Sequence, residues 1–236
     1  MARTVNIAEH AARRDAILDA AQRLMLSKGY ERLTVHDILD DLRISKGAFY
    51  HYFDSKPAVI EALTERLVAD SQRVLAPIVA DRELNALDKL QRVFGEVIRF
   101  KSARQTLVVA MLPVWYAPDN IAFRHKVDRA VAKRLAPLLT VLIRQGVNEH
   151  RFAISYPEQA GTIIVALVQA LQDAMAHQLL AAARGAPNAP TLKGMVATHG
   201  AHIEAIERYL GVPAGTLYRA DARTVNAWIR LLRRAG

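Results

Sequence analysis

The sequence predicts an all-α protein with a small three-helix unit at its N-terminal end and a larger helical unit after it. Apolar residues recur at helical spacing along nearly the whole chain, and no segment alternates like a strand for more than a few residues. A composition of 52% hydrophobic and 23% charged residues is that of a globular chain, which excludes collagen-like and wholly disordered classes.

The first two predicted helices are separated by a short turn. Apolar positions at i, i+4, i+7 and i+8 from Ile17 predict a helix over about 10–28, and Gly29 follows where a helix end favours a residue with positive φ. Thr34 is suited to cap the second helix, with Asp37 three residues later in the capping-box position. We expect this helix to end near Leu42.

Two further caps follow closely. Ser45 is suited to cap a third, short helix that runs through Tyr52. Asp54 and Ser55 are suited to cap a fourth helix, with Pro57 in its first turn, where a missing N–H costs little. The pattern therefore predicts three helices within the first 53 positions.

The rest of the chain predicts longer helices. Apolar positions from Ile60 to Val74 mark the fourth helix, and Asn85 is a cap for the fifth. We expect Pro113 and Pro118 to break the chain around Trp115. Further helices are expected over 119–147 with a kink at Pro137, over 157–183, over 194–210, and over 221–234 as an extra amphipathic helix. Asp221 is suited to cap this last helix, and we expect its apolar face to pack against the rest of the chain.

Charge and residue usage limit the function classes. The net charge is +9, but residues 1–56 carry nine basic and eight acidic side chains, so total charge is weak support for a nucleic-acid site there. The absence of cysteine excludes disulfides and thiolate chemistry. No secretory signal is visible, so we expect a cytoplasmic protein with no membrane partner. The apolar stretch 159–183 contains several glutamines and Asp173, which favours an interior or interface helix over a membrane span.

Two short helices joined by a three-residue turn form the helix-turn-helix arrangement, in which the second helix enters the major groove of DNA. The residues at these positions are specific: Ile17-Leu18-Asp19-Ala20-Ala21, Lys28-Gly29-Tyr30, Thr34-Val35, Asp37-Ile38 and Ser45-Lys46-Gly47-Ala48-Phe49-Tyr50-His51-Tyr52-Phe53-Asp54-Ser55-Lys56. Over about 14–60 the chain resembles the N-terminal domain of the TetR family of repressors. The resemblance implies an all-helical homodimer with a ligand-binding C-terminal domain.

We therefore expect a helix-turn-helix DNA-binding domain over 1–55 and a helical effector-binding and dimerisation domain over 56–236. Phe49 and Phe53, at i and i+4, are expected to pack inward and leave the rest of the third helix at the groove. The predicted DNA contacts, to phosphates or base edges, are Thr34, Arg43, Ser45, Lys46, Gly47, Ala48, Tyr50, His51, Tyr52 and Lys56.

The turn of this motif departs from the family pattern. Leu39 and Leu42 stand where the family usually has alanine, and Arg43 where the turn usually has glycine. A positive φ at Arg43 would cost about 1 kcal/mol, which a phosphate contact could offset.

The second domain is expected to bind a small, largely apolar effector. The predicted lining combines apolar and polar side chains: Phe94, Ile98, Met111, Trp115, Tyr116, Phe123, Gln169, Gln172, Asp173 and His177. Gln169, Asp173 and His177 share one helix face, so they are equally suited to pair across a dimer. Small residues at Ala166, Ala170 and Ala174 favour a dimer interface made by the helices at 157–183 and 194–210.

Catalytic and metal sites have little support. His199 and His202 lie three residues apart near Glu204, but no further ligand appears at a fixed spacing. No glycine-rich phosphate loop, nucleophile elbow or HExxH pattern occurs. We expect no enzyme activity, no cofactor and no metal. The alternatives left open are a ligand-independent DNA-binding repressor and an all-helical enzyme.

Overall fold

The computed structural model describes residues 7–235, and its N-terminal part forms the three helices that the sequence predicts. These are α1 (Ile7–Lys28), α2 (Val35–Leu42) and α3 (Lys46–Tyr50). Gly29 follows α1 with φ +80°, a conformation that costs a residue with a side chain more than it costs glycine. The third helix is shorter than expected, because residues after Tyr50 continue as a turn.

The capping pattern before α2 is confirmed. The Thr34 hydroxyl accepts a hydrogen bond from the Asp37 N–H at 3.2 Å, and the Asp37 carboxylate accepts one from the Thr34 N–H at 2.7 Å. This reciprocal pair satisfies two N–H groups that a helix start would otherwise leave without partners. The Ser45 hydroxyl likewise accepts from the Ala48 N–H at 3.1 Å and begins α3.

The turn between α2 and α3 has a left-handed residue at the position where the family pattern usually has glycine. Arg43 adopts φ 52° and ψ 44°, the left-handed region that non-glycine residues seldom occupy. The Ile44 N–H donates to the Leu39 carbonyl at 3.0 Å, which closes the end of α2. This bond maintains the turn that directs the chain into α3.

Seven further helices follow among the described residues. They are α4 (Lys56–Ala80), α5 (Ala86–Ala103), α6 (Gln105–Trp115), α7 (Ile121–Asn148), α8 (Pro157–Ala183), α9 (Leu192–Leu210) and α10 (Ala222–Ala235). A single 3₁₀ turn, Pro118–Asn120, precedes α7. No strand occurs between residues 7 and 235, so the all-α prediction is confirmed.

The prolines act differently from one another. The helix α6 ends at Trp115, so the expected break around this residue is confirmed, although Pro113 itself lies inside α6, two residues before its end. Its missing N–H removes only one bond near a helix terminus, where the neighbouring turns persist. Pro118 does begin a new element, and Pro137 lies within α7 as expected.

The chain divides into two compact units, the first ending at Leu67 and the second beginning at Val68. The division falls inside α4, which is one continuous helix. The assignment of functions to residues 1–55 and 56–236 remains a prediction. The core of the first unit includes Leu18, Met25, Ile38, Phe49 and Phe53, all buried.

The second unit is built around the packing of α7 against α8. A Cβ atom at Gly161 of α8 would lie 2.2 Å from the Ala136 carbonyl oxygen and 2.3 Å from the Thr140 hydroxyl oxygen of α7. Only glycine permits this close approach. Leu142, Ile143 and Ile164 are among the fully buried residues of the resulting core.

A second apolar cluster is covered by the C-terminal helix. Val225, Ile229 and Leu232 of α10 are buried with residues of α6, α8 and α9. The Asp221 carboxylate accepts from the Thr224 N–H at 2.7 Å, which confirms Asp221 as the cap of α10. The apolar face of α10 is therefore used inside the unit, as predicted.

One helix of the described chain, α8, is long and apolar enough to cross a membrane by length and composition alone. The core helix of a soluble protein passes the same test. Here α8 packs against α7, α9 and α10 inside the second unit.

Candidate nucleic-acid interface and ligand cavity

The third helix presents one buried and one exposed face, as the sequence predicts. Phe49 is fully buried and Phe53 is 5% exposed, with ring centroids 6.2 Å apart. On the opposite side Lys46, Gly47 and His51 are exposed, and Tyr50 is 44% exposed. The two phenylalanines anchor the helix, so its polar face is held outward within the first unit.

Ser45 and Thr34, two of the predicted DNA contacts, differ in whether the hydroxyl is free to donate a hydrogen bond to a phosphate. Ser45 Oγ only accepts a bond from the protein, so its own proton remains available for a phosphate oxygen. Thr34 Oγ1 instead donates to Asp37 Oδ2 at 2.6 Å. The pKa of Asp37 lies well below its usual range, chiefly because of its bond to Lys28 and then its bonds to Thr34. The proton of Thr34 is thus held by a carboxylate that stays ionised.

Two of the predicted contacts are cationic side chains without a carboxylate partner in the described part of the first unit. Arg43 is exposed in the turn before α3. Lys46 is exposed at the start of α3, with its ammonium 5.9 Å from the centroid of the Tyr50 ring. Several other cations of the unit are paired, such as Arg23 with Asp41 at 2.7 Å. Unpaired positive charge is therefore present at the α2–α3 turn and the start of α3.

Lys56 does not have the exposed position expected of it. Its side chain is half-buried, and its ammonium donates to the carbonyl oxygens of Tyr30 and Leu33, both at 3.0 Å. The ammonium also lies 4.0 Å from the centroid of the Tyr30 ring. The expectation of an exposed lysine is wrong, because Lys56 ties the start of α4 to the α1–α2 loop. Its contact with a phosphate stays a prediction.

One residue at this surface, His10, is not indicated by the sequence pattern. His10 of α1 is half-buried, and its ring centroid lies 4.6 Å from that of Tyr52 and 5.5 Å from that of His51. His10 precedes the segment that resembles the family motif, and only its i, i+4 relation to Arg14 could have indicated a shared face.

A cavity of about 100 Å³ lies within the second unit, between α4, α5, α7 and α8. Its lining is mostly aliphatic: Leu75, Val79, Val93, Phe94, Val97, Val131, Leu135, Leu138, Leu139, Ile164, Val165, Val168, Gln169 and Gln172. Of the predicted lining residues, Phe94, Gln169 and Gln172 are brought together here. The aliphatic lining was missed, because these residues also match ordinary core patterns.

The other predicted lining residues lie away from this cavity. Met111 is fully buried, and Trp115 and Tyr116 pack against the cluster that α10 covers. Ile98 and Phe123 are half-buried and do not line the cavity. Their place in a ligand site therefore remains a prediction that this cavity does not support.

Asp173 and His177 form a polar group with Tyr116. The Tyr116 hydroxyl donates to Asp173 Oδ1 at 2.6 Å, and the Tyr116 and His177 rings meet edge to face at 5.0 Å. Burial and the bond to Asp173 raise the pKa of Tyr116 far above its ordinary value. The Arg124 guanidinium lies 5.1 Å from the centroid of the same ring. Asp173 thus has a partner within its own chain.

An open pocket of about 470 Å³ adjoins the apolar cavity, and Gln169 lines both. Gln169 donates to the Asp128 carbonyl at 2.8 Å, and Asp128 is itself a lining residue of the open pocket. Burial, and then the charge of Asp173, raises the pKa of Asp128. The aliphatic cavity and the open pocket therefore share Gln169 as a lining residue.

Comparison with known proteins agrees with this geometry. Residues 17–63 match the model of bacterial regulatory proteins of the tetR family. A Lactococcus lactis protein, an uncharacterized HTH-type transcriptional regulator in the lacX 3′ region, is 34% identical over 144 residues, which are 57% of this chain and 74% of that protein. This chain belongs to the TetR family. Its resemblance to that family at 14–60 is thereby confirmed.

Other TetR-family proteins match over different lengths. The Escherichia coli transcriptional repressor NemR is 28% identical over 85 residues. These residues are 36% of this chain and 43% of NemR, which is less than half of its length. In structure, reduced NemR matches with a TM-score of 0.54 at 21% identity, covering 85% of this chain and 98% of NemR. A SmeT–triclosan complex matches with a TM-score of 0.58 at 18% identity, covering 89% and 97%. These structures show that the TetR fold extends over most of the chain.

Proposed function

We propose that this TetR-family chain is a homodimeric transcriptional repressor that leaves its operator when a small, largely apolar ligand binds the second unit. The observation that carries the DNA-binding part is the exposed face of α3, with Arg43, Ser45, Lys46 and Tyr50 held outward by buried Phe49. NemR, a relative by sequence, is named a transcriptional repressor. A helix held in this way is suited to the major groove. Binding to the chromosome places the protein in the cytoplasm.

The helices α8 and α9 support a dimer. They pack against each other and leave a row of small and apolar residues exposed: Thr162, Ile163, Ala166 and Ala170 on α8, and Ala197, Ala201 and Ala205 on α9. Ala174 is half-buried. Two copies that apply this surface to each other form a four-helix interface with closely spaced backbones. A palindromic operator then matches the two-fold symmetry of the dimer.

Oligomeric state is measured by sedimentation velocity at micromolar concentration. We expect a dimer for the parent chain and a monomer for Ala166→Glu combined with Ala201→Glu. Ala80→Glu, on an exposed position of α4, is the matched control and should remain a dimer. A monomeric parent chain would contradict the proposal.

The apolar cavity supports the effector-binding part. Its aliphatic lining and Phe94 suit an apolar or aromatic body, and Gln169, Gln172 and the adjoining Asp128 offer polar groups at one end. SmeT, which shares the fold, was solved with triclosan, a small chlorinated aromatic molecule. We therefore expect the effector to combine an apolar body with a polar group.

Helix α4 connects the cavity to the DNA-binding residues through a single element. Leu75 and Val79 near its C-terminal end line the cavity, and Lys56 at its start binds the α1–α2 loop. A ligand that displaces Leu75 and Val79 shifts this helix and thereby changes the separation of the two α3 helices in a dimer. The coupling is limited to the difference between the ligand affinities of the two states.

The experiment begins with selection of bound fragments from genomic DNA, which supplies the operator. Small molecules that raise the melting temperature are then titrated into the protein–operator complex, because a ligand that binds only the folded state stabilises it. Release of DNA at saturating ligand supports the proposal. Full operator affinity at saturating ligand would contradict induction and favour ligand-independent repression.

A further inference from the structure

We infer that His10 and Arg14 of α1 are positioning residues for the DNA-binding segment that follows α3. This inference rests on the proposed operator contacts of His51 and Tyr52. It concerns two residues outside α3: His10, which contacts the rings of His51 and Tyr52, and Arg14, which contacts the ring of the next residue, Phe53.

The turn after α3 is held by backbone hydrogen bonds, which do not fix the orientation of its exposed side chains. The helix ends at Tyr50, and residues 51–53 form a turn in which the N–H groups of His51, Tyr52 and Phe53 donate to carbonyls of Gly47 and Phe49. The Phe53 side chain is buried, whereas the orientation of the His51 and Tyr52 side chains depends on contacts from other elements. His51 is exposed and Tyr52 half-exposed, so a single helical turn does not by itself hold their rings in one orientation.

These contacts come from one face of α1. The ring of His10 meets the ring of Tyr52 at a centroid distance of 4.6 Å and that of His51 at 5.5 Å, and the His51 and Tyr52 rings lie 5.0 Å apart. The three rings are therefore in mutual contact, with two of the three pairs edge to face. Such pairs stabilise particular ring orientations beyond the burial of their area.

One turn further along α1, Arg14 extends the same contact. Its guanidinium lies 5.2 Å from the centroid of the Phe53 ring. Because His10 and Arg14 are four residues apart, both face the 51–53 turn at once. The side chains that reach for DNA are thus held before DNA arrives, which reduces the conformational freedom lost on binding.

The test measures operator affinity with a duplex selected from a random 30-base-pair library by the parent protein. His10→Ala is expected to weaken binding about three- to tenfold, the size of a lost aromatic contact converted to affinity. His10→Phe retains a ring without the imidazole nitrogens and should restore affinity to within about twofold. Leu26→Ala, at an exposed neutral position of the same helix, is the control and should match the parent.

A second arm separates positioning from direct DNA contact. In a His51→Ala, Tyr52→Ala background, His10→Ala is expected to change affinity less than twofold, since the rings that it orients are gone. Melting temperatures of all variants distinguish a local effect from loss of fold, and His10→Gln repeats the test with a ring-free side chain of similar length. Parent-like binding by His10→Ala, failure of His10→Phe to restore affinity, or an equal loss in both backgrounds would overturn the inference. If the parent protein selects no duplex from the library, the proposed DNA binding itself fails, and this outcome is distinct from a failure of the inference about His10.

Discussion

The imidazole of His199 accepts a hydrogen bond from the backbone N–H of Ala220, with 3.2 Å between the nitrogen atoms. An imidazole nitrogen that accepts a bond carries no proton, so this contact requires a neutral ring. Ala220 directly precedes the capping residue of α10, Asp221. The attachment of the C-terminal helix is therefore linked to the protonation of one histidine.

Because of this histidine, the stability of the folded chain is expected to decrease as the pH is lowered. Burial, followed by the charges of His202, Lys101 and Arg219, lowers the pKa of His199 below its ordinary value. As the pH decreases through about 6.5, His199 is protonated in the unfolded chain while it stays neutral in the folded chain. The stability that the neutral ring contributes is therefore fully present above this pH and is lost as the pH decreases toward the folded pKa. Tyr218 meets the ring edge to face, and Glu207 is already bound to Arg219.

The measurement is the melting temperature between pH 7.5 and pH 5.5. His199→Asn retains an acceptor for the Ala220 N–H but does not titrate, so we expect a weaker pH dependence than in the parent. His36→Asn, at an exposed histidine of α2, should follow the parent curve. An unchanged slope for His199→Asn would exclude His199 as the source.

Removal of the Lys56 ammonium is expected to destabilise the first unit. Lys56→Met retains the apolar stem but leaves the Tyr30 and Leu33 carbonyls without their donor, a loss of about 1–2 kcal/mol. Lys46→Met, at an exposed lysine, should leave stability unchanged and weaken operator binding. Urea unfolding followed by circular dichroism checks the first result. Parent-like stability of Lys56→Met with weakened DNA binding would instead support a phosphate contact.

Tyr50 is expected to contribute to DNA binding without supporting the fold. Its side chain is 44% exposed, so Tyr50→Ala should keep the melting temperature while operator affinity falls about five- to tenfold, as for one lost phosphate contact. Tyr156→Ala, where the parent residue is 73% exposed, is the matched control. Fluorescence anisotropy at constant salt measures both, because affinity for DNA depends steeply on salt. Equal affinity of Tyr50→Ala and parent would remove Tyr50 from the interface.

Filling the apolar cavity is expected to separate DNA binding from the ligand response. Val168→Phe places a ring into a space of about 100 Å³, so operator binding should persist while ligand no longer releases DNA. Overpacking is expected to cost about 1–3 kcal/mol of stability. Val141→Phe, on an exposed position of α7, should remain inducible. A Val168→Phe variant that ligand still releases from DNA would place the effector site elsewhere.

The sequence by itself determined those features that depend on neighbours a few residues away. Thr34 with Asp37, Asn85 with Asp88, and Asp221 with Thr224 form the caps that their spacing predicts. Arg43 is left-handed at the turn position where the family pattern usually has glycine. Each cap is a local contact whose partner lies within four residues, so helix starts and the helix-turn-helix could be recognised before any packing was known.

Only the tertiary structure decided which distant residues meet. Lys56 finds its acceptors 23 and 26 residues earlier, and Tyr116 binds Asp173 across 57 residues. The cavity takes its lining from α4, α5, α7 and α8, so Phe94 and Gln169 meet there while Met111 and Trp115 do not. Helical periodicity shows which face of a helix is apolar but not which helix covers it. That choice depends on how all the faces pack together, and it determines which apolar residues form core and which line a cavity.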